Sequence, residues 1–175
     1  GTGVYGAAYR VVDTAWLPVR ALLGAAWPRF FRYAQEGNAP LFGFVRAIAG
    51  PALLYSGAVA VGMIALADVL VPLLGEAYAE SVPLLRVLAV VILIRCLHYL
   101  PADVLTGMGH QGLRTVIQVA VLVANVALNL WLIPRFGVWG AAWATIICET
   151  ALAVALWVAL AVSVRRSLPE GRLLA

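Results

Sequence analysis

The sequence has no lysine: its twelve basic residues are all arginine, set against eight acids. Charge of either sign is scarce, at 11% of 175 residues, while 64% are hydrophobic. Soluble domains carry roughly a quarter charged residues, so this composition excludes a soluble globular body. Cysteine and histidine are too few and too scattered for a zinc site or a disulfide framework. Cys96 and Cys148 fall inside apolar runs, and His98 and His110 share no ligand spacing with them. The cysteines read as small buried thiols, and neither a metal nor a cofactor is expected. The opening "GTGVYG" has a suggestive glycine spacing, but no Lys-Ser/Thr follows it as a phosphate loop requires. It also lacks the charged n-region and cleavage site of a signal peptide. No internal repeat or low-complexity tract is present, and nothing in the pattern points to nucleic acid.

What is present is a series of long apolar blocks, at roughly 5–24, 50–74, 84–106, 113–133 and 138–163. About 20 apolar residues cross a bilayer as a helix, and the blocks lack the alternation of barrel strands. The expected fold is therefore an all-α integral membrane protein with about five transmembrane helices. Between the first two blocks, "WPRFFRYAQEGNAPLFGFVRA" (26–46) mixes aromatic rings with arginine, as suits a headgroup layer. The residues 165–175 form a basic tail.

Arginines 29, 32, 46, 114, 165, 166 and 172 fall on one side of the blocks, and Glu76, Glu80 and Arg135 on the other. The positive-inside rule places the Arg-rich side and the C terminus in the cytoplasm. Five spans then leave the N terminus outside with nothing to carry it there, an arrangement that points to further helices upstream.

Polar residues inside the blocks are the candidates for function, because charge at bilayer depth normally faces a bundle interior or a wet cavity. At 100° per residue, Arg114, Gln118, Asn125 and Asn129 share a narrow stripe of block four. Arg10, Asp13 and Arg20 share a face of block one, Arg95 sits near the centre of block three, and Thr145 and Glu149 lie mid-way along block five. The amides can serve as hydrogen bonds between packed helices or as ligand contacts, and Arg95 can pair with Glu149. Arginine beyond what the acids neutralise suggests an anionic cargo, and its planar fork suits phosphate. Arg10, Arg20, Arg95, Gln118, Asn125 and Asn129 are thus the cavity candidates. Asp13 and Glu149 are candidates for charge balance or ion coupling. No nucleophile or paired carboxylates accompany His98 and Asp103, so an enzyme is not expected.

Three stretches carry a resemblance: "GVYGAAYRVVDTAWLPVRALLGAAWPRF", "LLGEAYAESVPLLRVLA" and "ANVALNLWLIPRFGVWGAAWAT". Together they resemble the C-terminal portion of polysaccharide flippases, which handle O-antigen and other lipid-linked oligosaccharides. These belong to the multidrug/oligosaccharidyl-lipid/polysaccharide exporter superfamily. The most specific of the three runs from Asn125 to Thr145, with its Asn-x-x-x-Asn-x-x-Leu-Ile-Pro core. The resemblance implies a 12–14-helix transporter of two six-helix lobes around a cationic cavity, with this chain supplying the last five helices of the second lobe. It implies alternating-access flipping of isoprenoid-diphosphate-linked glycans across a bacterial or archaeal cytoplasmic membrane. The implied partners are that glycan lipid, membrane lipids, and a polysaccharide polymerase with glycosyltransferases. A drug or sodium exporter and a peptidoglycan lipid-precursor flippase are the alternatives within the superfamily. A membrane-embedded transferase and a structural membrane subunit are the alternatives outside it.

Overall fold

A computed structural model describes residues 2–70 and 81–167, and over them the chain is helical with no strand. Five helices follow in order: α1 (Thr2–Glu36), α2 (Asn38–Leu70), α3 (Val82–Gly107), α4 (Gln111–Phe136) and α5 (Val138–Ser167). Four of them, α2 to α5, are long and apolar enough to cross a membrane. At 35 residues α1 is longer still, but Arg10, Asp13 and Arg20 lower its apolar character and it is not among the four. The loop resembling a family motif at Leu73–Ser81 lies outside the described residues except for Ser81, as does the tail beyond residue 167.

Single glycines divide neighbouring helices where the chain must turn most sharply. Gly37, at φ +119°, separates α1 from α2, and Gly137, at φ +56°, separates α4 from α5. Side-chain-bearing residues rarely adopt such angles, so each glycine ends one helix and lets the next begin one residue later. The stretch 26–46 is accordingly the end of α1 and the start of α2, continuous helix on both sides of Gly37. Its rings pack on one another: Phe30 is fully buried, meets Phe44 edge-on at 5.3 Å, and Phe44 also meets Tyr33 at 5.0 Å. Trp27 and Phe31 point outward.

The middle of the bundle is α3, which packs against α1, α2 and α5. Leu84, Leu85, Leu88, Val91 and Ile92 bury one half of it in a core shared with α1 and α2. Val104 and Leu105 join Phe30, Leu41, Leu156 and Leu160 in a second core near the other end. Within α3, Pro101 has no N–H to give to the carbonyl of Leu97, one turn earlier. The indole of Trp157 on α5 donates to that same carbonyl at 2.9 Å and closes the gap. Trp157→Phe keeps an aromatic ring, though a smaller one, and removes the donor, so it is expected to lower stability by about 1 kcal/mol. A melting temperature in detergent equal to wild type would show that the carbonyl needs no such partner.

In contrast, α4 leans mainly on α5 and only lightly on α3. Leu132 is its one buried residue among those described, whereas Val116, Leu122, Val123, Val126 and Leu130 are exposed. An apolar helix with so little protein around it suits a lipid environment or packing against further protein. Its polar stripe instead looks toward α5 and α1, which is where the site lies.

Candidate functional site

Helical spacing builds the site from four elements. On α1, Tyr5, Tyr9, Asp13, Trp16 and Arg20 recur every three or four residues and so form one stripe. Arg95, His98 and Tyr99 present the central part of α3, and Gln118, Asn125 and Asn129 the inner stripe of α4. From α5 come Ala141, Thr145, the adjacent Cys148 and Glu149, and Leu152, spaced about one turn apart.

These side chains enclose two adjoining cavities. The larger, about 730 Å³, runs along α4 from Gln118 to Ile133, with α5 opposite and Tyr5 and Tyr9 of α1 along one edge. At 1.5 Å per residue that stretch of α4 is about 22 Å long. Its walls are mostly apolar, with Gln118, Asn125, Asn129 and Thr145 as polar points. The smaller cavity, about 260 Å³, is lined by Asp13, Arg20, Arg95, His98, Arg114 and neighbours. Gln118, Glu149 and Leu152 line both, so the arginine-bearing chamber adjoins the amide-studded cleft along those residues.

Arg95 is the hub of the chamber. Its Nη1 donates to Asp13 Oδ1 at 2.9 Å, its Nε to Glu149 Oε1 at 3.0 Å, and its Nη2 to the Tyr9 hydroxyl. The other oxygen of Glu149 lies 2.7 Å from His98 Nε2. Three helices, α1, α3 and α5, are thereby tied through one guanidinium. A buried arginine is costly unless paired and hydrogen-bonded, and here both conditions are met. With two carboxylates against one guanidinium, Arg95 is fully neutralised, its pairing extended from Glu149 to Asp13 as well. Tyr9 was not among the expected residues, although its place four before Asp13 would have put it on the same stripe.

Arg114 is held separately. Its Nη1 donates to Asp103 Oδ1 at 3.2 Å, to Thr106 Oγ1 at 2.8 Å and to the carbonyl of Ala102 at 3.3 Å, stapling the start of α4 to the end of α3. Arg20 lines the chamber, is exposed, and has no ion-pair partner among the described residues. Arg10 is exposed and lines neither cavity. It follows Tyr9 directly, so it points 100° away from the tyrosine that faces the cleft.

The two asparagines bond each other rather than a second helix. Asn129 Nδ2 donates to the Asn125 backbone carbonyl at 2.9 Å and to Asn125 Oδ1 at 3.0 Å. Both amides line the larger cavity. Across the cleft, the Tyr5 and Thr145 hydroxyls are hydrogen-bonded at 2.9 Å, joining α1 to α5.

Cys96 and Cys148 are buried and unpaired with each other. Among the described residues no set of His, Cys, Asp and Glu is arranged to hold a metal ion. What the arrangement offers chemically is recognition: an anion-compatible chamber joined to a long apolar cleft with amide and hydroxyl points. Against family models, curated proteins and solved structures alike, the chain has no match.

Proposed function

We propose that this chain forms part of a transporter that flips lipid-linked oligosaccharides by alternating access, its five helices belonging to the second of two lobes. The observation that carries the reading is the junction of the two cavities at Gln118 and Glu149. An isoprenoid-diphosphate-linked glycan combines an apolar tail, a doubly charged link and many hydroxyls. The chamber of Arg20, Arg95 and Arg114 matches the link, because guanidinium binds phosphate oxygens through its donor fork. Gln118, Asn125 and Asn129 match the hydroxyls, since amides both donate and accept. The apolar walls of the cleft and the bare flank of α4 match the tail.

The chain acts here as a carrier rather than a catalyst. Arg95 and Arg114 tie helices together, Tyr9 and Asp13 bond Arg95, and Glu149 bonds Arg95 and His98, so these groups engage one another rather than a reactive hydroxyl or thiol. Arg20, which has no ion-pair partner among the described residues, favours an anionic cargo and disfavours cationic drugs. In this reading the Arg29, Arg32, Arg46 and Arg165–Arg166 end faces the cytoplasm of a bacterial or archaeal cell. Glycosyltransferases and a polymerase act before and after the flip.

The test is transport of a lipid-linked oligosaccharide in proteoliposomes that hold the chain together with the rest of the two-lobe transporter, scored by protection from an external glycan-labelling reagent. Arg20→Gln is the informative variant, because Arg20 has no ion-pair partner among the described residues. It is expected to lower the flipping rate roughly tenfold, the size of one charge-assisted contact to phosphate. Flipping at the wild-type rate in Arg20→Gln, or none in the wild type, would sink the proposal.

A further inference from the structure

We propose that Asp13 is a built-in competitor for the anionic ligand: its carboxylate occupies the Arg95 guanidinium and is displaced when a phosphate group enters. This rests on the transport reading above and adds how its anion site is regulated.

The two acids on Arg95 are held very differently. The Glu149 side chain is 17% exposed, and its second oxygen is engaged by His98. The Asp13 side chain is 55% exposed, and the contact with Arg95 Nη1 is the one hydrogen bond it makes among the described residues. Arg95 itself is 10% exposed. A ligand reaching Arg95 through the chamber therefore meets one acid that can swing away and one that cannot. The displaced carboxylate moves toward the open side it already half occupies, while Glu149 stays to keep the guanidinium in place.

Charge makes the exchange necessary. Arg20, Arg95 and Arg114 line the chamber with Asp13 and Glu149, and Asp103 holds Arg114 from the side. A doubly charged phosphate group facing this set meets three acids against three arginines, with His98, Tyr9 and Tyr99 as the other titratable neighbours. Removing the Asp13 contact frees one donor arm of Arg95 to act with the unpaired Arg20. Those two residues come from α3 and α1, so a diphosphate bridging them replaces the α1–α3 ion pair with a ligand-mediated one. Occupancy of the site is thereby linked to how α1 is held against α3, while the Tyr9 hydroxyl keeps a second tie to Arg95.

The experiment measures inorganic pyrophosphate binding to the protein in lipid nanodiscs by calorimetry, for the wild type, Asp13→Asn, Asp13→Glu and Arg20→Gln. Removing a competing, partly exposed charge is expected to tighten binding roughly tenfold in Asp13→Asn. Asp13→Glu keeps a competing carboxylate and is expected to stay near the wild-type affinity. Should the Asn variant not fold, Asp13→Ser removes the same charge with a smaller side chain and is expected to tighten binding likewise. Unchanged or weaker binding in the neutral variants, with Arg20→Gln still impaired, overturns the competitor and leaves the transport reading intact. Equal tightening by Glu and Asn also overturns it, because charge would not be the cause. If neither the wild type nor the neutral variants bind pyrophosphate at millimolar concentration, the proposal and the diphosphate reading fall together.

Discussion

Replacing Arg95 with Gln is expected to destabilise the bundle by about 3–5 kcal/mol, the range for removing one partner of a buried ion pair. The cause is what remains behind. Glu149 would keep its burial and lose its Nε donor at 3.0 Å, and Asp13 would lose its only bonded cation among the described residues. Tyr9 would lose its acceptor role as well. One guanidinium joins α1, α3 and α5, so the loss is felt at two helix interfaces. For a chain of this size the shift in melting temperature is roughly 6–20 °C, measurable by thermal unfolding in detergent. Adding Glu149→Gln to Arg95→Gln is expected to restore part of the loss, because the uncompensated buried charge disappears. Arg95→Gln melting at the wild-type temperature would mean that the network is ornamental to folding. The contrast with Arg20 is instructive: that residue bears no structural pairing and is expected to affect transport while leaving stability alone.

The second large effect is expected from Gly140→Ala. After the Gly137 turn, α5 starts so close to the end of α4 that a Cβ on Gly140 would collide with the Leu132 backbone. Its carbonyl carbon would be 2.6 Å away, and the Ile133 nitrogen 3.0 Å. Backbone atoms cannot rotate aside as a side chain can, so the hairpin must open or α5 must shift. Overpacking of this kind typically costs about 1–3 kcal/mol. The expected readout is a lower melting temperature together with weaker ligand binding, because the larger cavity is framed by these same two helices. A Gly140→Ala protein with unchanged melting and unchanged binding would show that the hairpin has slack. By comparison Gly112 has open space around its Cβ position, and its replacement by Ala serves as the control.

Much of this architecture was legible in the chain itself. Long runs with few charges demand helices in a bilayer, because hydrocarbon offers backbone groups no other partner. The stripe Gln118–Asn125–Asn129 was visible from 100° spacing, and the structure places all three along one cavity. The pairing of Arg95 with Glu149 was foreseeable for the same energetic reason that makes lone buried charge rare. The stretch 26–46, with its rings and arginines, was legible as a surface segment but not as the meeting of two continuous helices. Whether such rings lie flat in a headgroup layer or stack into Phe30's core depends on which helix comes alongside.

Arg10 illustrates the other limit. Spacing put it near Asp13 and Arg20 on α1, but a face spans some 100° and only part of it looks into the cleft. Tyr9, one residue earlier, takes the inward position, and Arg10 is left outside both cavities. Nor could spacing say that two acids from different helices converge on one guanidinium, or that Trp157 on α5 would cap the carbonyl freed by Pro101 on α3. Each requires knowing how far one helix is rotated and slid against another.

The sequence by itself therefore determined that the protein is helical and membrane-embedded, and which residues on each helix share a stripe. Both follow from local physics, the hydrogen-bonding needs of the backbone and the 3.6-residue period. The tertiary structure alone decided which stripes face each other: that Arg95 is neutralised by α1 and α5, that Arg20 lines the same chamber without an ion-pair partner among the described residues, and that the asparagines look into a cleft rather than into a neighbouring helix. Those outcomes depend on non-local packing around α3, whose small differences in contact and charge select one rotation of each helix from many that satisfy its own sequence equally well.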